Sequence, residues 1–356
     1  MKPLSSFLFL FCIFPQITLI FAQSTHKCRA LALEGGGDAG SWQAGVIYGM
    51  VQKLDPKEVE YDVVSGVSVG SINGLYVATF AKGDEKKMAE ELLYRWGNLT
   101  QSQIYIPWYN SSWTEWEAFY DMPSVYDNSP LKQLMDDYMK DKKVLRKVSI
   151  GISDATNVDS VTYDIENLPN ENITQLVLDS TAMPFFFPYQ VFDNSSIFID
   201  GGVLLNVNVQ SAVRRCQELG IAEEDIILDV ILPTGFQIEK FLSNETYTGY
   251  DLLERYEQIL SYKAALDDIV HAYYDFKAVN FRYIIMPSED LPSGEIPLNF
   301  DHDQMTYMIE LGKKDAESGI KKSQEIMDYV KRKKIGRVVK YNGIQNEEKG
   351  KSFLEK

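Results

Sequence analysis

Apolar and polar positions fall into blocks along this chain, and the period changes from block to block. Residues 29–33 (RALAL) form a short apolar run that predicts a strand, and a glycine cluster follows directly. An apolar helical pattern then runs over 41–54. Residues 61–65 (YDVVS) predict a second strand, feeding a helix over 68–81. Later strands are predicted at 144–152, 161–165, 197–199, 226–232 and 281–286. The run 226–232 (IILDVIL) is almost continuously apolar, as expected of a strand covered on both faces. Long helical patterns occupy 250–277 and 304–331. Strands alternating with helices argue for an α/β fold on a largely parallel central sheet.

Three stretches depart from this rhythm. Residues 3–22 (PLSSFLFLFCIFPQITLIFA) are the only long apolar run; Lys2 precedes it and Ala22 stands at its end. A basic start, an apolar stretch and a small-residue exit predict a signal peptide over 1–22, with an uncleaved anchor as the rival. Pro15 inside the run favours cleavage. No other stretch reaches about 18 uninterrupted apolar residues, so the mature chain is expected to be soluble. Residues 94–126 hold four of the five Trp. Their rings read either as a lid or lipid-facing surface, or as core filler beneath glycosylated loops, and the second reading is preferred. Residues 332–356 are charged, poor in apolar side chains and expected to be mobile.

With 45% apolar and 24% charged residues over 356 positions, the chain has the makings of a real core. Its net charge of −16 argues against nucleic acid as a partner and against simple electrostatic docking on anionic membranes. Three Cys and three His are too few for the usual structural zinc sites, and chemistry without metal or other cofactor is expected. Asn-x-Ser/Thr triplets at Asn98, Asn110, Asn172, Asn194 and Asn244 are candidate glycosylation sites and suit the secretory route. The expected destination is secretion, or a lysosomal or vacuolar lumen. Signal cleavage would remove Cys12. Cys28 and Cys216 would then either bridge or remain two buried thiols; their spacing leaves both open.

Candidate chemistry lies in three glycine-marked turns. Gly35-Gly36-Gly37-Asp38-Ala39-Gly40 follows the first strand and precedes a helix. A dinucleotide site would need an acid at the end of the second strand, where Ser65-Gly66 stands instead. What remains is an anion cradle of backbone N–H groups or, for this motif alone, a plain tight turn. Gly66-Val67-Ser68-Val69-Gly70 lies between the second strand and its helix, the context in which a G-x-S-x-G turn exposes a nucleophilic hydroxyl. Downstream, His271 sits in a helical run and His302 between two Asp at a helix start, so both read as ordinary helix or surface histidines. A histidine-dependent triad is the poorer fit. Asp200-Gly201-Gly202 closes the strand at 197–199, a position where α/β sheets build sites.

These three motifs, in this order, resemble the patatin-like phospholipases. The likeness covers about residues 30–215. Supporting echoes are the run 127–138 (DNSPLKQLMDDY), Asp154-Ala155-Thr156-Asn157, and the proline-bounded run 183–188 before the Asp strand. The resemblance implies a three-layer α/β/α domain with a mostly parallel sheet and a helical C-terminal extension. It divides the chain into a signal at 1–22, a catalytic domain at 29–215, an α/β extension completing the fold at 216–331, and a tail at 332–356. It makes Ser68 the nucleophile, Asp200 the base, and the backbone at Gly35, Gly36 and Gly37 the oxyanion hole. Gly40, Gly66, Gly70, Gly201 and Gly202 support these turns. One position departs: the family's basic residue before the last loop glycine is Ala39 here, which removes a charge but leaves the backbone donors. The implied activity is hydrolysis of lipid or lysolipid esters at a membrane or micelle surface. The rivals are an acyltransferase or thioesterase with the same dyad, and a non-catalytic storage or lipid-binding protein.

Overall fold

The computed structural model describes residues 27–333, apart from 109–116, 118–119, 193–194, 236–241, 243–245 and 294–297. The expected signal peptide, Trp113, Trp116, the triplets at Asn110, Asn194 and Asn244, and nearly all of the expected tail lie outside the described residues.

The chain starts with β1 (Cys28–Leu33), α1 (Gly40–Lys53), β2 (Val63–Val67) and α2 (Val69–Ala78). Helix α3 (Glu85–Gly97) and the short strands β3 (Ile106–Pro107) and β4 (Tyr126–Asp127) follow. Next come α4 (Ser129–Met139), β5 (Lys147–Asp154), β6 (Asp159–Asp164), α5 (Asn170–Ser180), β7 (Gln190–Phe192) and β8 (Ser196–Ile199). The chain continues through α6 (Val209–Gln217), β9 (Ile226–Ile231), α7 (Gly249–Asp275), β10 (Asn280–Ile285) and α8 (His302–Arg332). The main sheet has the order β10-β9-β1-β2-β5-β8-β7, with β6 also paired to β5. Strands β10 to β5 run parallel; β6 and β8 are antiparallel to β5, and β7 to β8.

The period-2 pattern of β1 explains the layers. Leu31 and Leu33 enter one buried cluster with side chains from α1 to α5; Cys28, Ala30 and Ala32 enter a second with α6 and α7. Helix α8 contributes to both, Met305 and Met308 to the first and Met327 and Val330 to the second. The result is the three-layer α/β/α arrangement with a mostly parallel sheet. Strand β5 starts three residues later than its apolar pattern suggests, and the strand at Asp159–Asp164 is an antiparallel return rather than part of the parallel set.

Cys28 and Cys216 form a disulfide, with Cα atoms 5.8 Å apart, joining the start of β1 to α6. In the aromatic stretch, Trp96, Tyr105 and Tyr126 are buried, whereas Tyr94 and Tyr120 are exposed. Tyr105 packs against Tyr126, Phe186, Phe187 and Phe300. Asn98 and Asn172 are both exposed. Among the described residues, no helix is long and apolar enough to cross a membrane.

Candidate active site

Ser68 occupies the sharp turn between β2 and α2. Its φ of 51° and ψ of −126° are rare for a residue with a side chain and cost about 1–3 kcal/mol. Several contacts hold the turn. Ser68 N–H donates to Ser180 Oγ at 2.9 Å, and Ser180 Oγ–H donates to Gly151 O at 2.7 Å. Ser68 O accepts from Ser71 N–H and from Ser71 Oγ, at 2.8 and 2.6 Å. The glycines are sterically required: a Cβ on Gly66 would lie 2.1 Å from Gly70 O, and one on Gly70 would lie 2.4 Å from Leu33 O. The positive end of the α2 dipole therefore sits at Ser68.

Strand register brings Asp200 to the same level. Val67 pairs with Gly151 across β2 and β5, and Ile199 pairs with Ser153 across β8 and β5. The next residues along, Ser68 and Asp200, thus flank Ile152 from opposite sides. Ser68 Oγ donates to Asp200 Oδ2 at 2.6 Å. Asp200 Oδ1 accepts Gly202 N–H at 2.8 Å. Gly201 lies so close to Gly151 O and Val67 that a Cβ there would come within 2.3 Å of the former. Ser68 is 8% and Asp200 6% exposed, so the pair keeps only a narrow opening to solvent. Burial pushes the Asp200 carboxyl up to about 6, against the opposing pull of the Ser68 and Gly202 hydrogen bonds.

The glycine-rich loop lies on the other side of Ser68. A Cβ on Gly35 would stand 3.0 Å from Ser68 Cβ, so the loop and the nucleophile touch. Gly35 N–H is engaged by Asn206 O at 3.1 Å. Among the described residues, no partner takes the N–H of Gly36 or of Gly37. Gly36 O instead accepts Ala39 N–H at 3.0 Å, closing the turn, and Ala39 is buried. Asp38 is buried as well, and its Oδ2 accepts from Asn299 N–H and Gln304 Nε2 at 3.2 and 3.1 Å. Two residues that the sequence patterns do not single out, Ser180 and Asn206, thus brace the site, and a third, Glu34, accepts from Asn206 Nδ2 at 3.0 Å. Glu34 and Asn206 are single polar residues between apolar or glycine neighbours, and Ser180 is the middle of the polar triplet Asp179-Ser180-Thr181; neither pattern has a period to detect.

The histidines stand elsewhere. His271 is exposed on α7; His302 is exposed at the start of α8, with Nδ1 2.9 Å from Gly97 O. Among the described residues no histidine bonds to Ser68 or Asp200, and no cluster of three His, Cys, Asp or Glu is arranged to hold a metal ion.

The family model for patatin-like phospholipases matches residues 31–213, just over half of the chain. The chain belongs to that family, a family of lipid hydrolases. Among solved structures it is similar to VipD from Legionella pneumophila, at 12% identity, with 83% of this chain and 67% of VipD covered and a TM-score of 0.39. It is also similar to the type III effector protein ExoU, at 12% identity and a TM-score of 0.34, covering 84% of this chain. The chain spans about half of ExoU, 53% of its length. No curated protein matches it.

Proposed function

We propose that the protein cleaves carboxylic esters of lipids, in the manner of a phospholipase A or lysophospholipase, through a Ser68 acyl-enzyme with Asp200 as the only side-chain base. The observation that carries this reading is the 2.6 Å contact from Ser68 Oγ to Asp200 Oδ2. As Oγ attacks the ester carbonyl, its proton passes to Asp200. The carbonyl oxygen becomes an oxyanion beside the Gly36 and Gly37 N–H groups, a contribution of about 3–4 kcal/mol per donor in comparable hydrolases. Collapse expels the alcohol, which takes the proton from Asp200. Water then attacks the acyl-enzyme, Asp200 accepts the water's proton, and the fatty acid leaves as Ser68 recovers its own. A carboxyl raised to about 6 by burial is a better base than one near 4 and is still largely ionised at neutral pH.

A lipid substrate is supported by an apolar cavity beside α2. Ile72, Leu92, Leu99, Ile104, Leu131 and Met135 are among its lining residues, and its empty volume is about 880 Å³ with the mouth included. Ile72 and Tyr76 continue, at steps of four residues, the helix face that begins at Ser68. The disulfide and the exposed Asn98 and Asn172 fit an oxidising, secretory location, and membrane or micelle surfaces would present the substrate transiently.

The test is hydrolysis of a phospholipid, a lysophospholipid and a triglyceride by the purified protein, with Ser68→Ala as control. Fatty-acid release that Ser68→Ala abolishes is expected; release that survives the substitution refutes the assignment. Adding a competing alcohol separates hydrolysis from acyl transfer.

A further inference from the structure

Asn206 follows Asp200 by six residues, between the Asp-Gly-Gly turn and α6, and the chemistry above does not use it. It nevertheless meets groups from several separate segments. Its carbonyl accepts Gly35 N–H at 3.1 Å. Its Nδ2 donates to Glu34 Oε1 at 3.0 Å. Its N–H and that of Val207 donate to Asp268 Oδ2, on α7, at 3.0 and 3.2 Å. Its Oδ1 fills the gap that two glycines leave, since a Cβ on Gly35 or on Gly202 would lie 2.5 Å from it. The other oxygen of Glu34 accepts Thr234 N–H at 3.0 Å, which ties in the segment after β9.

We propose that Asn206 is a positioning residue: gripped by Glu34 and Asp268, it fixes the glycine-rich loop and the Asp-Gly-Gly turn in one register. It thereby sets where the Gly36 and Gly37 N–H groups stand relative to Ser68 and Asp200. The proposal rests on the acyl-hydrolase reading for its consequence, but the clamp itself is geometric.

The energetics favour a functional role for the two acids. Glu34 is completely buried, and among the described residues no Lys or Arg pairs with it or with Asp268. Burial pushes Glu34 up to about 8 and Asp268 up to about 7, and the negative charge of Asp268 adds to the rise at Glu34. His271 opposes the shift of Asp268, and Asp267 adds to it. A buried carboxyl without a cation weakens a fold. Local rules are broken in this way mainly at functional sites.

The test inverts donor and acceptor. Both oxygens of Glu34 accept, so Glu34→Gln sets an amide donor against Asn206 Nδ2 or Thr234 N–H, and the Asn206 amide can relieve this only by turning over and giving up the place of its Oδ1 between Gly35 and Gly202. Asn206→Asp sets two carboxyls face to face, and the readouts are taken above pH 8, where Glu34 is ionised and the pair cannot share a proton. In Glu34→Gln/Asn206→Asp the new amide donates to the new carboxyl, and its oxygen accepts Thr234 N–H. Two readouts are taken on the full chain: hydrogen exchange of the peptide containing Gly35, and the rate at which a fluorophosphonate labels Ser68. Each single substitution is expected to speed exchange and slow labelling, each by about 10- to 100-fold. The double variant is expected to regain most of both. A double variant that melts like the wild type but behaves no better than the singles overturns the clamp. Should Asn206→Asp fail to fold, Asn206→Leu, which has no amide to turn over, decides, and unchanged exchange with unchanged labelling overturns the clamp. A wild type that takes no label refutes the hydrolase reading instead, and the exchange readout still judges the clamp.

Discussion

Replacing Asp200 by Asn should make the protein inactive and, above pH 6, more stable. Asp200 accepts two hydrogen bonds, from Ser68 Oγ and Gly202 N–H. In Asp200→Asn the amide oxygen still accepts Gly202 N–H. The Ser68 hydroxyl, donor and acceptor at once, reverses to accept from the new amide nitrogen. Both partners of the carboxyl keep a bond to residue 200, and the base is lost. The carboxyl rises from 3.8 to about 6 on folding because burial disfavours its charge. A raised carboxyl stabilises the fold fully below the unfolded value near 4, and that contribution is lost as pH rises through about 6. The loss is about 3 kcal/mol, from roughly two units at 1.36 kcal/mol each. Thermal melts of wild type and Asp200→Asn at pH 4 and pH 8 measure it. The two should melt together at pH 4, and the variant should melt on the order of 5 °C higher at pH 8. A variant equally destabilised at both pH values would refute the claim that Asp200 is a buried, costly base.

Three further outcomes follow from the same geometry. Ester hydrolysis should fall as pH drops through about 6, following Asp200; a pH–rate profile that moves in His271→Asn or His302→Asn would contradict the dyad. Gly35→Ala places a methyl 2.5 Å from Asn206 Oδ1 and 3.0 Å from Ser68 Cβ. It should cost about 1–3 kcal/mol of stability and most of the turnover, and ordinary melting with full activity would argue against close loop contact. Breaking the Cys28–Cys216 bridge, which spans 188 residues, should remove about 2–5 kcal/mol of stability, read as a lower denaturant midpoint in Cys216→Ser. An unchanged midpoint would show that the bridge does not constrain the unfolded chain.

Strand β9 is legible in the sequence because a strand covered on both faces carries a nearly unbroken apolar run, and β1, β2 and β10 because shorter apolar runs mark them. The short amphipathic helices were not. Helix α3 is largely charged along its exposed side and runs into the aromatic stretch, and α6 carries two arginines within nine residues. The elbow at Ser68 was readable because the turn cannot close without Gly66 and Gly70. The position of Asp200 at a strand end is only part of what places it. The rule about carboxyl ends applies to parallel strands, whereas β8 runs antiparallel to β5, and it is register that levels Asp200 with Ser68. The disulfide was left open by spacing because pairing depends on where β1 and α6 meet. Asn206, Glu34 and Ser180 give no signal, since a brace made of polar side chains from distant segments has neither period nor motif.

Treatment of the purified protein with a fluorophosphonate, followed by peptide mapping of the adduct, tests the proposed chemistry most directly. One adduct is expected, on Ser68, formed at an undiminished rate when His271 and His302 are both replaced and strongly slowed in Asp200→Asn. An adduct on another residue, or labelling that needs either histidine but not Asp200, would contradict it.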